Sequence, residues 1–186
     1  MKRSQHQRWL GSTRRVQRGV SMVELAFVLP VLLLLGLGVF DFARAIHYHN
    51  VLVSLSREGA NLAARSTATP QQIMAALAST AQPLSMNAEG MMIITKIVGR
   101  ADGSAVVDAQ YRLTGGDHGL SSRVWSCSGW GGDGTCNVPA SRPVIAPPLT
   151  IRDGETVYAV EAMYDYIPVI DYVFRNPAAL YTRTVL

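Results

Sequence analysis

Residues 20–40 read VSMVELAFVLPVLLLLGLGVF, with Glu24 as their one charged side chain. As a helix, the uncharged stretch 25–40 rises about 24 Å at ~1.5 Å per residue. Adding residues 20–23, with Glu24 near one interface, closes the gap to a hydrocarbon core of ~30 Å. A soluble core helix rarely carries four consecutive leucines together with Pro30, Gly36 and Gly38. A membrane helix tolerates both breakers, because neighbouring helices and local backbone adjustments satisfy the freed groups. This segment therefore predicts a single membrane-inserted helix. Residues 1–19 hold Lys2, Arg3, Arg8, Arg14, Arg15 and Arg18 and no acidic residue, whereas only Asp41 and Arg44 follow closely on the other side. By the positive-inside rule the N-terminus is cytoplasmic and everything beyond residue 45 lies outside the cytoplasm.

The leader also explains the charge of the whole chain. Of 17 basic residues six sit in it, leaving 11 against all 13 acidic ones. The sequence pI of 9.3 is thus a property of the leader, and a basic nucleic-acid-binding domain is excluded. With 48% hydrophobic residues and no charge block after residue 19, most of the chain has the means to bury a core.

Glu24 requires a reason, since a carboxylate at the centre of a bilayer costs roughly 2.5–3.5 kcal/mol on insertion scales. One reading is an acid snorkelling to the interface. Another starts from Gly19, between Arg18 and the apolar run. Cleavage after Gly19 would leave an α-ammonium on Val20, four residues before Glu24 and on the same helix face. The acid would also stand in the first turns, where the helix dipole favours negative charge.

A basic leader ending in Gly19, then VSMVE and a long apolar helix, resembles the type IV prepilin processing signal. The longer string RGVSMVELAFVLPVLLLLGLGVFDFARA, residues 18–45, resembles the TadE-like minor pilins, or pseudopilins, of Tad (tight adherence) pilus systems. Leu25 stands where the small major pilins of such systems usually have Tyr, and the chain is much longer than they are. Both differences favour a minor component. The resemblance implies a structural and assembly protein rather than an enzyme, with no cofactor and no metal. Its processing site would be Arg18, Gly19 and Val20, recognised by a prepilin peptidase. Glu24 would compensate the new amine, on its own chain or a neighbour's, and Leu25, Val28, Leu29, Pro30, Leu32 and Leu33 would pack against other pilin helices. The implied partners are that peptidase, other pilins or minor pilins, the assembly platform and the lipid bilayer, at a bacterial inner membrane with the C-terminal domain in the periplasm. Two alternatives remain: an uncleaved single-pass anchor with a protein-binding outer domain, or a secreted protein released after Ala45, since Ala43-Arg44-Ala45 has the small-x-small form of a signal peptidase site.

Beyond the apolar run, helical periodicity continues through Phe42, Ile46, His49, Val53, Ala60 and Ala64, with Leu52, Leu55 and Leu62 close to the same stripe. One helix over residues 20–66 is expected, with a kink at Pro30 because proline lacks the amide hydrogen. Thr69-Pro70 opens a short helix over residues 70–80. Strand signals follow at residues 91–98, at 107–113, where Val107, Ala109, Tyr111 and Leu113 alternate with Asp108, Gln110 and Arg112, and at 158–166, where the apolar positions alternate in part with Glu161 and Asp165. Residues 180–186 supply a last strand, and Asp102-Gly103 a turn. The expected fold is α+β and pilin-like: a long N-terminal helix packed on a small antiparallel sheet of three or four strands. The organisation is a leader at 1–19, a membrane helix at 20–45, its amphipathic continuation at 46–66 and an extracytoplasmic domain at 67–186.

Residues 114–154 are dominated by Gly, Pro and Ser and read as a long excursion. In an oxidising compartment Cys127 and Cys136, the two cysteines of the chain, favour an intrachain disulfide. Trp125 and Trp130 flank Cys127 and either pack over the disulfide or form a contact surface. The Gly-rich stretch 129–134 lacks the Lys-Ser/Thr of a phosphate loop, and no hydrolase, zincin or calcium-loop motif occurs. His47 and His49, two apart, face different sides of a helix and make a poor metal pair. The acidic residues are scattered and read as a solvated face. The string YDYIPVIDYVF, residues 164–174, reads as core with an exposed edge, or as a subunit contact.

Overall fold

The structure is a computed structural model that describes residues 13–146, 150–169 and 178–186. One helix, α1 (Thr13–Arg65), runs unbroken through Pro30 and through two compact units, Met1–Ala43 and Arg44–Leu186. In the first unit the large apolar side chains from Met22 to Phe40 are all exposed, with Met22 at 77% and Phe27 at 75%. They belong to a helix long and apolar enough to cross a membrane.

The second unit is α+β. Its sheet has the order β3-β2-β1-β4-β5, every neighbour antiparallel, with β1 (Gly90–Gly99), β2 (Ala105–Arg112), β3 (Val144–Ile145), β4 (Thr156–Tyr166) and β5 (Ala178–Val185). That is one strand more than the pattern predicts. The extra one, β3, is two residues long, too short to show a period, and lies inside the excursion at 114–154.

The amphipathic half of α1 packs on one face of this sheet through Tyr48, Leu52, Leu55, Ser56, Gly59 and Ala60. This stripe is rotated from the expected one: Phe42, Ile46, His49 and Ala64 are exposed. Small residues mark the true contact. A Cβ on Gly59 would stand 3.0 Å from Val160 Cγ1 and 3.3 Å from Leu77 Cδ1, so the helix lies close to both the sheet and the second helix there. Ser56 Oγ meets Thr184 Oγ1 at 2.9 Å, a polar contact inside an otherwise apolar seam.

Helix α2 (Pro70–Thr80) is set by its first turn. The Thr69 hydroxyl accepts the Gln72 amide hydrogen and the Gln72 side chain accepts that of Thr69, a reciprocal capping box with Pro70 at the first helical position. Its buried face, Ile73, Met74, Leu77 and Ala78, joins Leu52, Met92, Ile94 and Val160 in the main core. Between β1 and β2, Gly103 takes φ +79° and Asp102 Oδ1 accepts the Ser104 N–H at 2.8 Å, the tight turn expected of Asp-Gly. The β1–β2 register slips at Lys96/Ile97, leaving Asp108 as an extra residue that meets Lys96 Nζ at 2.8 Å and Arg142 at 3.1 Å. The Asp108 partner holds the Lys96 ammonium above its usual pKa, and Lys96 holds the Asp108 carboxyl below its own.

Candidate functional site

The apolar segment of α1 presents its side chains outward without a protein partner among the described residues of its own unit. Leu25, Val28, Leu29, Leu32 and Leu33 are between 44% and 60% exposed, and Pro30 and Glu24 are exposed with them. Arg18, Gly19 and Val20 lie on α1, but their side chains fall outside the described residues. A helix left with apolar groups all round satisfies its own backbone hydrogen bonds and matches lipid, or other helices within lipid.

The second feature is the excursion at 114–154, whose described residues cover the sheet face opposite α1. Glu161, expected on a solvated side of β4, is fully buried there. Its Oε1 accepts the Arg123 N–H at 2.8 Å and the Tyr181 hydroxyl at 2.8 Å, and its Oε2 accepts the Ser122 hydroxyl. Ser122 Oγ in turn accepts the Val124 N–H at 3.1 Å. Burial, and then the Glu161 charge beside it, push the Tyr181 phenol well above its ordinary pKa. The Arg123 guanidinium lies 4.2 Å over the Tyr181 ring. Gln110 is fully buried beside this network and donates through Nε2 to Thr95 Oγ1 at 3.0 Å and to the Trp125 carbonyl at 2.9 Å. The excursion is thus a strap pinned by polar side chains of three strands, over a small core of Ile97, Ala105, Ile151, Val157 and Ala159.

Cys127 and Cys136 form a disulfide, with their Cα atoms 6.1 Å apart. Trp130 pairs with Cys136 by a backbone bridge and its ring carries the Arg112 guanidinium at 4.8 Å. Both Trp125 and Trp130 are half-buried, so they serve the strap's packing while keeping some outward surface. At Gly134, φ is +80° and a Cβ would collide with the Arg112 carbonyl oxygen, so only glycine lets the strap lie this close to β2. Gln71 of α2 reaches Thr135 Oγ1 at 3.3 Å, tying the strap to the helix layer.

Sequence reasoning missed Glu161, Gln110, Ser122 and Tyr181. Their signal was present but ambiguous: in β2 and β4 polar residues alternate with apolar ones, which marks solvent when one face is open and a pinned cover when it is not. The string at 164–174 is described as far as Val169. Tyr164 and Tyr166 are buried, and each meets Tyr48 edge-on at 5.6 Å between ring centroids; residues 170–174 lie outside the described residues.

Comparison with protein families matches residues 19–61 to the model described as TadE-like protein. The match lies wholly on α1 and stops short of the sheet. No curated protein and no solved structure matches the chain.

Proposed function

We propose that this TadE-like protein of Tad pilus systems acts as a minor pilin, or pseudopilin, in assembling or priming the filament. The observation that carries the proposal is the family match falling on a helix whose apolar side chains are exposed all round, with Glu24 as the lone acid in the membrane-length run. A prepilin peptidase cleaves after Gly19, and the new amine of Val20 pairs with Glu24 of the same or a neighbouring chain. A charge neutralised in this way loses much of its insertion penalty, so Glu24 stays in the bilayer only when its partner is in place. Leu25, Val28, Leu29, Leu32 and Leu33 then pack against other pilin helices, where dispersion contacts replace those with lipid. The leader stays cytoplasmic and the strapped sheet stands in the periplasm of a bacterial inner membrane, linked to other pilins and to the assembly platform. The family is a pilus component and is not known as a family of enzymes.

The test is complementation in the producing cell. A strain lacking the protein receives the wild-type chain, Glu24→Ala or Gly19→Leu, and surface pili are counted against protein level in the membrane. Restored pili with the wild type, and loss with both variants at unchanged level, support the assignment. Full piliation by Gly19→Leu points to an uncleaved anchor instead.

A further inference from the structure

The end of the folded unit from which α1 continues toward the apolar run carries its own exposed apolar surface. Ile46 follows Phe40, the last residue of the apolar run, by only six positions in the chain. The C-terminal end of β4 is at the same level: the Arg44 guanidinium lies 5.0 Å from the Tyr48 ring centroid and 5.6 Å from that of Tyr166. Tyr166 is turned into the core, at 4% exposure, but Ile167, the next residue, is 53% exposed and Val169 is 55% exposed. Across the helix from Tyr48, Ile46 is 47% exposed. Among the described residues of this unit the other large exposed apolar side chains are Val144 and Leu186, which stand near the far end of the sheet, where Leu186 pairs with Tyr158.

We propose that this base, formed by Ile46 on α1 and by Ile167 and Val169 just beyond β4, is seated in the headgroup–acyl boundary of the bilayer that α1 crosses. The proposal rests on the reading of α1 as a membrane-spanning helix. Lipid is the occupant that chain connectivity favours, because the surface begins six residues after the end of the apolar run. The chemistry fits that depth. Aliphatic groups enter the acyl edge, while the Arg44 guanidinium, which donates to the Tyr48 hydroxyl at 3.0 and 3.1 Å, sits at the same level over two tyrosine rings, a polar group suited to the headgroup side. The domain then touches the membrane through these side chains, and they must leave this seat whenever its helix is drawn out.

The test uses the full-length protein in phosphatidylcholine–phosphatidylglycerol vesicles with bromine at shallow or deep acyl positions. Three proteins are compared with the wild type, whose own tryptophan signal is subtracted: Ile167→Trp, Ile46→Trp and, as a marker of the helix, Leu33→Trp. Far-UV circular dichroism confirms that each is folded. The seat predicts blue-shifted emission at positions 167 and 46 and loss of intensity with shallow bromines greater than with deep ones. Quenching of Leu33→Trp without quenching at position 167 overturns the seat and leaves the membrane helix intact. Blue-shifted but unquenched emission at position 167 also overturns it and assigns the surface to a protein contact. An unquenched Leu33→Trp removes the membrane-spanning premise, and the seat with it.

Discussion

Removing the carboxylate of Glu161 should release the strap. In Glu161→Ala the Arg123 amide, the Ser122 hydroxyl and the Tyr181 hydroxyl lose their common acceptor in a fully buried site. A buried donor left unsatisfied costs about 1–3 kcal/mol. Against this stands the relief of no longer holding a charge away from water, which is worth several kcal/mol for an isolated ion. With three donors orphaned and a cavity left behind, the net loss comes to about 3 kcal/mol. Glu161→Gln behaves differently. Its amide oxygen still accepts from Arg123 and Tyr181, and its amide nitrogen faces Ser122 Oγ, so charge assistance and the one Ser122 donor bond are lost, about 1–2 kcal/mol. Urea unfolding in detergent, followed by tryptophan emission and by far-UV circular dichroism, separates the two. Trp125 and Trp130 ride on the strap, so in Glu161→Ala their emission should shift at lower urea than the helical signal falls. Equal losses for Ala and Gln, or both within about 0.5 kcal/mol of wild type, would refute the account, because changes that small are typical of surface sites.

Other consequences follow from the same structure. Replacing Cys127 and Cys136 together by Ser opens a loop of about ten residues and should lower stability by roughly 2.5–3 kcal/mol in the chain-entropy model, read as a lower urea midpoint with unchanged slope. Thr69→Ala removes one half of the capping box and should lose about 1 kcal/mol, measured in the same way. Burial, and then the hydrogen bond to Glu89, push the Tyr164 phenol up to about 12. Because the folded value is raised, its contribution is complete below the unfolded phenol value of about 10 and is lost as pH rises toward 12. Tyr164→Phe should therefore lower the neutral plateau of stability against pH by about 1 kcal/mol, through loss of the bond to Glu89, and flatten its alkaline limb.

The long helix, the cap of α2 and the four longer strands were legible because each imposes a period or a local hydrogen bond that residue types reveal directly. Thr69-Pro70-Gln71-Gln72 specifies its own cap, and Asp102-Gly103 its own turn. Which side of α1 meets the sheet was not legible to better than part of a turn, since Phe42, Ile46 and Val53 continue an apolar pattern that lipid and core both satisfy. Gly59, whose smallness sets the contact, adds nothing to a hydrophobic stripe. The strap reads as a loop in the sequence because its order comes from contacts distant along the chain: Ser122 and Arg123 to Glu161, Trp125 to Gln110, Gln71 to Thr135. Such pairs leave no periodic trace, and a buried glutamate looks in sequence like an exposed one. The disulfide was legible in the two cysteines of the chain, nine apart in a Gly-rich loop.

The central claim is that the chain is matured by a prepilin peptidase into a helix beginning at Val20. Its most direct measurement is the intact mass and N-terminal sequence of the membrane-purified protein, made with and without a co-expressed peptidase. The account predicts a peptidase-dependent start at Val20. An N-terminus at Met1 under both conditions would contradict it and leave a plain anchor, and a start at Ile46 would contradict the membrane helix altogether.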